Sequence, residues 1–74
     1  MKTATQLSKG LRFSALKQRR INSGLPQREV SKQTGISESK LSMLENGWLN
    51  PTLTVAQTLA RFYETTVDEL FPVR

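Results

Sequence analysis

Cysteine and histidine are both absent from this chain. Without cysteine there is no disulfide and no thiolate metal site. Without histidine the commonest general base and the commonest metal ligand are missing. No glycine-rich phosphate loop stands in their place, so an enzyme has little to be built from, and neither a cofactor nor a small-molecule ligand is expected. No window approaches the roughly 18 consecutive apolar residues of a membrane span. Residues 1–14 contain Lys2 and Lys9 but no continuous apolar core, so no secretory signal is expected. A soluble, cytoplasmic protein follows as the expectation. Sustained β-branched alternation is missing as well, which argues against strands.

The 74 residues suffice for one domain. A domain of this size buries only about 60% of its unfolded-chain surface, so its stability rests on good packing or on oligomerisation. The net charge of +5 is unevenly spread. Residues 1–40 hold nine Lys/Arg against two Asp/Glu, a net +7, whereas residues 41–74 hold two against four, a net −2. Such polarity gives the molecule a basic side that suits a polyanion. A solvated basic surface without a partner would carry the same charge. An anionic membrane fits less well, because no basic stretch carries a broad apolar face.

Breakers at Gly10, Gly24-Leu25-Pro26, Gly35, Gly47 and Asn50-Pro51 cut the chain into short pieces rich in helix formers. The first predicted helix runs from about Leu11 to Asn22, with Phe13, Leu16 and Arg20 on one face and Gly24 as a left-handed cap. The second runs from about Gln27 to Thr34, with Pro26 at its entrance and Gly35 at its end. The third begins at Ser37, a good N-cap, and turns Leu41 and Leu44 inward. The fourth starts at Thr52, with Leu53, Ala56, Leu59, Ala60 and Tyr63 as its inner face. A short fifth begins at Thr66, which forms a capping box with Glu69. Residues 1–10 read as a mobile basic arm and 11–74 as the domain.

The informative stretch is Gln27 to Gly47. A two-turn helix, a turn on Gly35-Ile36-Ser37 and a second helix with Leu41 and Leu44 make a helix-turn-helix. Here the chain resembles the Cro and phage-repressor family of regulators, also called the XRE family, over roughly residues 11–71. The matching residues are Leu16, Arg20, Gly24-Leu25-Pro26-Gln27, Val30-Ser31, Gly35-Ile36-Ser37, Leu41, Leu44-Glu45-Asn46-Gly47, Asn50-Pro51-Thr52-Leu53, Leu59-Ala60 and Val67-Asp68-Glu69-Leu70-Phe71. The resemblance implies an all-α, compact five-helix lambda-repressor-like domain. In it, helices 2 and 3 form the helix-turn-helix and residues 37–46 are the recognition helix in the major groove of double-stranded DNA. It departs from the family pattern at Pro26, where Thr, Ser or Asn is usual, and at Glu64, where Gly is usual. Met43 stands where Arg or Gln is common, and Glu38 brings a negative charge near the groove.

By that resemblance Glu38, Ser39 and Met43 face base edges, and Gln27, Arg28, Lys40, Ser42 and Asn46 face phosphates. Arg20 and Glu45 pair structurally across the domain. Each DNA-facing role has a plainer counterpart. Lys40 and Arg28 are also ordinary solvated charges, as Lys17 and Arg19 are read to be. Glu38 also favours the positive end of its own helix, with cytosine N4 as its base partner. Met43 reads either as a half-buried core residue or, because Leu41 and Leu44 already fill the inner stripe, as an outward side chain with a thymine methyl as its natural contact. Trp48-Leu49 either folds back on the core, which is the favoured reading, or meets the DNA backbone or a second subunit. Val55 and Phe62 are core fillers or a dimer patch.

The family reading implies a repressor that binds a two-fold operator as a homodimer. One module of this kind covers only about 600–1,000 Å², and the chain offers no room for a ligand-sensing domain. An antitoxin that binds a partner protein and represses its own operon is the alternative, with Trp48, Leu49 and Phe62 on the partner surface.

Overall fold

A computed structural model describes residues 14–72. These residues form five helices: α1 (Ala15–Ser23), α2 (Gln27–Thr34), α3 (Glu38–Glu45), α4 (Leu53–Phe62) and α5 (Val67–Leu70). No described helix is long and apolar enough to cross a membrane. The arm expected over residues 1–10 lies outside the described residues, as do Leu11 and Phe13 of the expected first helix.

Local chemistry sets most helix starts. Ser14, Ser37, Thr52 and Thr66 have extended backbones, and each side-chain oxygen accepts from the amide three residues on. Each pairing satisfies one of the N–H groups that a helix start leaves open. The serine cap at Ser14 corrects the expected start: α1 begins at Ala15, not Leu11. The capping box at Thr66 is only half made. Thr66 Oγ1 accepts from the Glu69 amide at 3.1 Å, but the Glu69 carboxylate turns away to accept from Thr65 Oγ1 and Arg19.

Helix ends use the left-handed region. Gly24 closes α1 with backbone bonds from its own amide to Ile21 O at 3.0 Å and from the Leu25 amide to Arg20 O at 3.4 Å, and Gly47 closes α3 in the same way through Leu44 O and Met43 O. Glu64 makes the same closure at φ 57 without being glycine. Its amide donates to Arg61 O at 3.1 Å and the Thr65 amide donates to Ala60 O at 2.8 Å. A side chain in that conformation costs on the order of 1–2 kcal/mol.

The core gathers Leu16, Val30, Ile36, Leu41, Leu44, Leu59, Ala60, Tyr63 and Leu70 from all five helices and the turn between α2 and α3. α2 packs on α3 and α4, α1 packs on α3 and α5, and α5 closes against α4. Val55 and Phe62 pack against this core as partly buried fillers. The Phe62 and Tyr63 rings meet edge to face at 4.9 Å.

Two expectations about the apolar residues are corrected. Leu53 does not join the inner face of α4 but is 69% exposed. It is the first residue of the helix. A helical side chain leans toward the N-terminus, so one in the first turn projects past the core rather than over it. Trp48-Leu49 does not fold back on the core, since Trp48 is 76% exposed. The turn there is closed by backbone bonds, with the Trp48 amide donating to Met43 O at 2.9 Å. The indole is therefore not needed to hold the loop.

Candidate nucleic-acid interface

The α2–α3 turn is built from its backbone outward. Gly35 takes φ 81 and its amide donates to Ser31 O at 2.8 Å, which ends α2. Only glycine adopts that angle without steric cost. Thr34 Oγ1 donates back to Val30 O at 2.8 Å and accepts from the Ile36 amide at 3.2 Å. Ile36 then drops into the core, and Ser37 Oγ accepts from the Lys40 amide at 3.1 Å. The consequence is a sharp change of direction with α3 starting at the surface.

α3 is two-sided. Leu41, Leu44 and Glu45 are buried, whereas Glu38, Ser39 and Lys40 are exposed in its first turn. Met43 faces outward at 37% exposure, and Ser42 is half-buried. Asn46 caps the end, its Nδ2 donating to Ser42 O at 2.8 Å and lying 3.4 Å from Ser42 Oγ.

The back of α3 is held by a buried carboxylate. Glu45 Oε2 accepts from Arg20 Nε at 2.7 Å, and Glu45 Oε1 accepts from Arg20 Nη2 at 3.2 Å. The expected pair is therefore a bidentate fork, the strong form of this contact. Its side chains are 14% (Arg20) and 2% (Glu45) exposed. Two further bonds lay beyond the reach of sequence reasoning. Arg20 Nη1 donates to Leu25 O at 2.8 Å, and Gln27 Nε2 donates to Glu45 Oε1 at 3.1 Å. The carboxylate thus joins α1 and α2 to the end of α3, and the Arg20 guanidinium adds the α1–α2 turn. Gln27 keeps one side-chain N–H beyond that bond, and its backbone N–H belongs to an α2 start where no side chain caps the helix.

Tyr63 lies in the same field. Burial pushes its hydroxyl from 10.0 up to about 12, the nearby Glu45 carboxylate adds to the shift, and Arg20 opposes it.

The cations divide into two kinds. Arg19 is not the solvated charge expected of it: its Nη2 donates to Thr65 Oγ1 at 3.0 Å and to Glu69 Oε1 at 3.3 Å, tying α1 to α5. No sequence signal marked this link, which spans 50 residues along the chain. Arg28, Lys32, Lys40 and Arg61 are exposed and form no ion pair among the described residues. Lys40 stands on α3, Arg28 beside Gln27 at the start of α2 and Lys32 in the last turn of α2, so three of these cations belong to the helix-turn-helix.

A family model described as "Helix-turn-helix" matches residues 16–70. An uncharacterized HTH-type transcriptional regulator of Archaeoglobus fulgidus is 33% identical over 52 residues, covering 70% of this chain and 74% of that protein. A second regulator of the same description from that organism is 29% identical over 56 residues, covering 76% of this chain and 79% of that protein. No solved structure matches the chain. The chain belongs to the helix-turn-helix family of the Cro and phage-repressor type, a family of DNA-binding regulators rather than enzymes.

Two predictions follow from the buried node. Arg20→Ala leaves the Glu45 carboxylate buried with Gln27 as its remaining donor. Such a loss costs roughly 3–5 kcal/mol, and Arg20's partial exposure favours the lower end. Arg19→Ala breaks an exposed pair worth at most about 1 kcal/mol. In thermal melts Arg20→Ala should be far the more destabilised, and equal, small shifts would show that the fork does not hold the fold.

The second concerns Tyr63, the only tyrosine in the chain. Folding raises its pKa, so the unfolded chain releases this proton first as pH rises. The stability from the protonated hydroxyl is fully present below pH 10 and is lost between pH 10 and about 12. Tyrosinate absorbance should therefore develop later in the native protein than in denaturant. Superimposable titrations would contradict the burial.

Proposed function

We propose that this chain is a transcriptional repressor that binds a two-fold operator as a homodimer, with α3 in the major groove. The observation that carries the reading is the two-sidedness of α3. Its rear is fixed by Leu41, Leu44 and the Glu45 node, and its exposed face holds only side chains without a structural partner in the core. A reading element needs that arrangement, because base contacts demand fixed geometry.

Roles follow from position and chemistry. Glu38, Ser39 and Met43 read base edges: a carboxylate accepts from cytosine N4, a hydroxyl discriminates weakly, and a thioether meets a thymine methyl. Lys40 and Arg28 neutralise phosphates as unpaired exposed cations. Gln27 and Arg28 open α2, where uncapped backbone N–H groups favour an anion. Ser42 and Asn46 add hydroxyl and amide contacts at the far end of α3. Dimerisation doubles a contact that is small for one module. DNA binding of this kind places the protein in the cytoplasm.

Selection of bound sequences from a random DNA pool with purified protein tests the reading. It should return a two-fold site with half-sites about one helical turn, near 34–36 Å, apart or a multiple of that. Affinity for that site should fall roughly 10³–10⁵-fold between about 50 and 200 mM salt if about 6–10 phosphates are neutralised. Lys40→Ala should lower the salt slope and weaken all sequences alike. An unenriched pool, or a salt slope near zero, would contradict the proposal.

A further inference from the structure

Residues 46–60 contain no charged side chain, in a chain that is 23% charged. Two of the most exposed apolar side chains of the described residues fall within that stretch. Trp48 is in the α3–α4 loop, Leu53 is the first residue of α4, and the exposed Leu49 lies between them. The backbone that carries them is fixed at both ends. The Trp48 amide bonds back to Met43 O at 2.9 Å, and Thr52 Oγ1 accepts from the Val55 amide at 3.2 Å. Beside them opens a depression of about 150 Å³ walled by Leu44, Leu49, Pro51 and Val55, with Lys40 as its one charged neighbour. A cavity of comparable size holds an aromatic ring.

We infer that this patch is where a second copy of the chain docks when two copies occupy adjacent half-sites. The inference rests on the two-fold reading above and names its interface. Each copy carries a net charge of +5, so two copies repel through most of their surfaces. A two-fold contact also brings every group near the axis toward its own counterpart, where like charges repel. An uncharged patch escapes both penalties. Charge depletion with a central aromatic residue is the composition that distinguishes interface cores. The patch also adjoins the reading element, because α3 runs directly into the loop. Trp48 or Leu53 of one copy supplies the apolar knob, and the depression of the other receives it.

The area sets how strong the contact is. Side chains with these exposures offer roughly 400 Å², against about 800 Å² per partner in a stable complex. The free protein is therefore monomeric at low concentration, and the pair closes on DNA, where the second copy is already held nearby. Operator occupancy then rises cooperatively with protein concentration, and no ligand is needed to set the switch.

The test compares binding to the selected two-fold site and to a single half-site, for wild type, Trp48→Ser and Leu53→Lys, with circular dichroism confirming that each folds. Wild type should bind the full site about 5–150-fold more tightly than two independent half-sites predict. Trp48→Ser should keep its half-site affinity and lose that enhancement. Leu53→Lys adds a charge that DNA attracts, so its half-site affinity should hold or rise while the enhancement disappears. Enhancement that persists in both variants overturns the interface, leaves the homodimer reading standing and gives the patch to another occupant, such as a heterologous protein. Equal losses on half-site and full site for Trp48→Ser overturn it in favour of direct DNA contact. A wild type with no enhancement overturns it together with the homodimer reading.

Discussion

The structure turns on the Glu45 carboxylate. A charge buried this completely is tolerable only when its lone pairs are met. Arg20 supplies two N–H groups and Gln27 a third. Because Arg20 also holds Leu25 O, the turn after α1 cannot move without disturbing the carboxylate. Removing Arg20 leaves the buried carboxylate with Gln27 alone and Oε2 without a donor. A buried ion pair adds little stability over a well-packed apolar pair, so its consequence here is positional. It fixes the end of α3 against α1 and α2 while leaving the opposite face of α3 to solvent.

The electrostatics of the surface follow from what this node consumes. Arg20 belongs to the basic half of the sequence yet is spent inside the domain, and Arg19 is drawn to Glu69 across the α1–α5 contact. The basic character that remains for a polyanion comes from exposed cations such as Arg28 and Lys40, which flank the helix-turn-helix. Net charge alone therefore overstates the field on that side. Placement matters more than count, since screening limits exposed charges to partners within about 10 Å at 0.1 M salt.

Much of this fold is legible in the sequence, because its boundaries are written in local chemistry. Ser37, Thr52 and Thr66 cap helices in the positions their hydroxyls indicate, and Gly24, Gly35 and Gly47 supply the positive φ that ends them. Glu64, read as standing in a glycine's place, adopts the glycine's conformation. The Arg20–Glu45 pair follows from the family resemblance. What escapes sequence reading is tertiary. Arg19, Thr65 and Glu69 meet only because α1 and α5 pack. The place of Leu53 depends on where the core stops, which helical periodicity does not encode. Trp48 is exposed because the loop closes through its backbone. The positions proposed to face DNA are named by their place on α3 and α2 and by the family resemblance.

In the proposed mode of binding, α3 reads bases and does not merely grip the backbone. Binding to a library of single-base operator variants, with wild type beside Glu38→Gln and Met43→Ala, tests it most directly. Each substitution should change preference at one or two base pairs per half-site, by about 1–3 kcal/mol, repeated symmetrically about the operator centre. Variants that keep the wild-type preference at every position and lose only overall affinity would contradict the claim and make α3 a phosphate clamp.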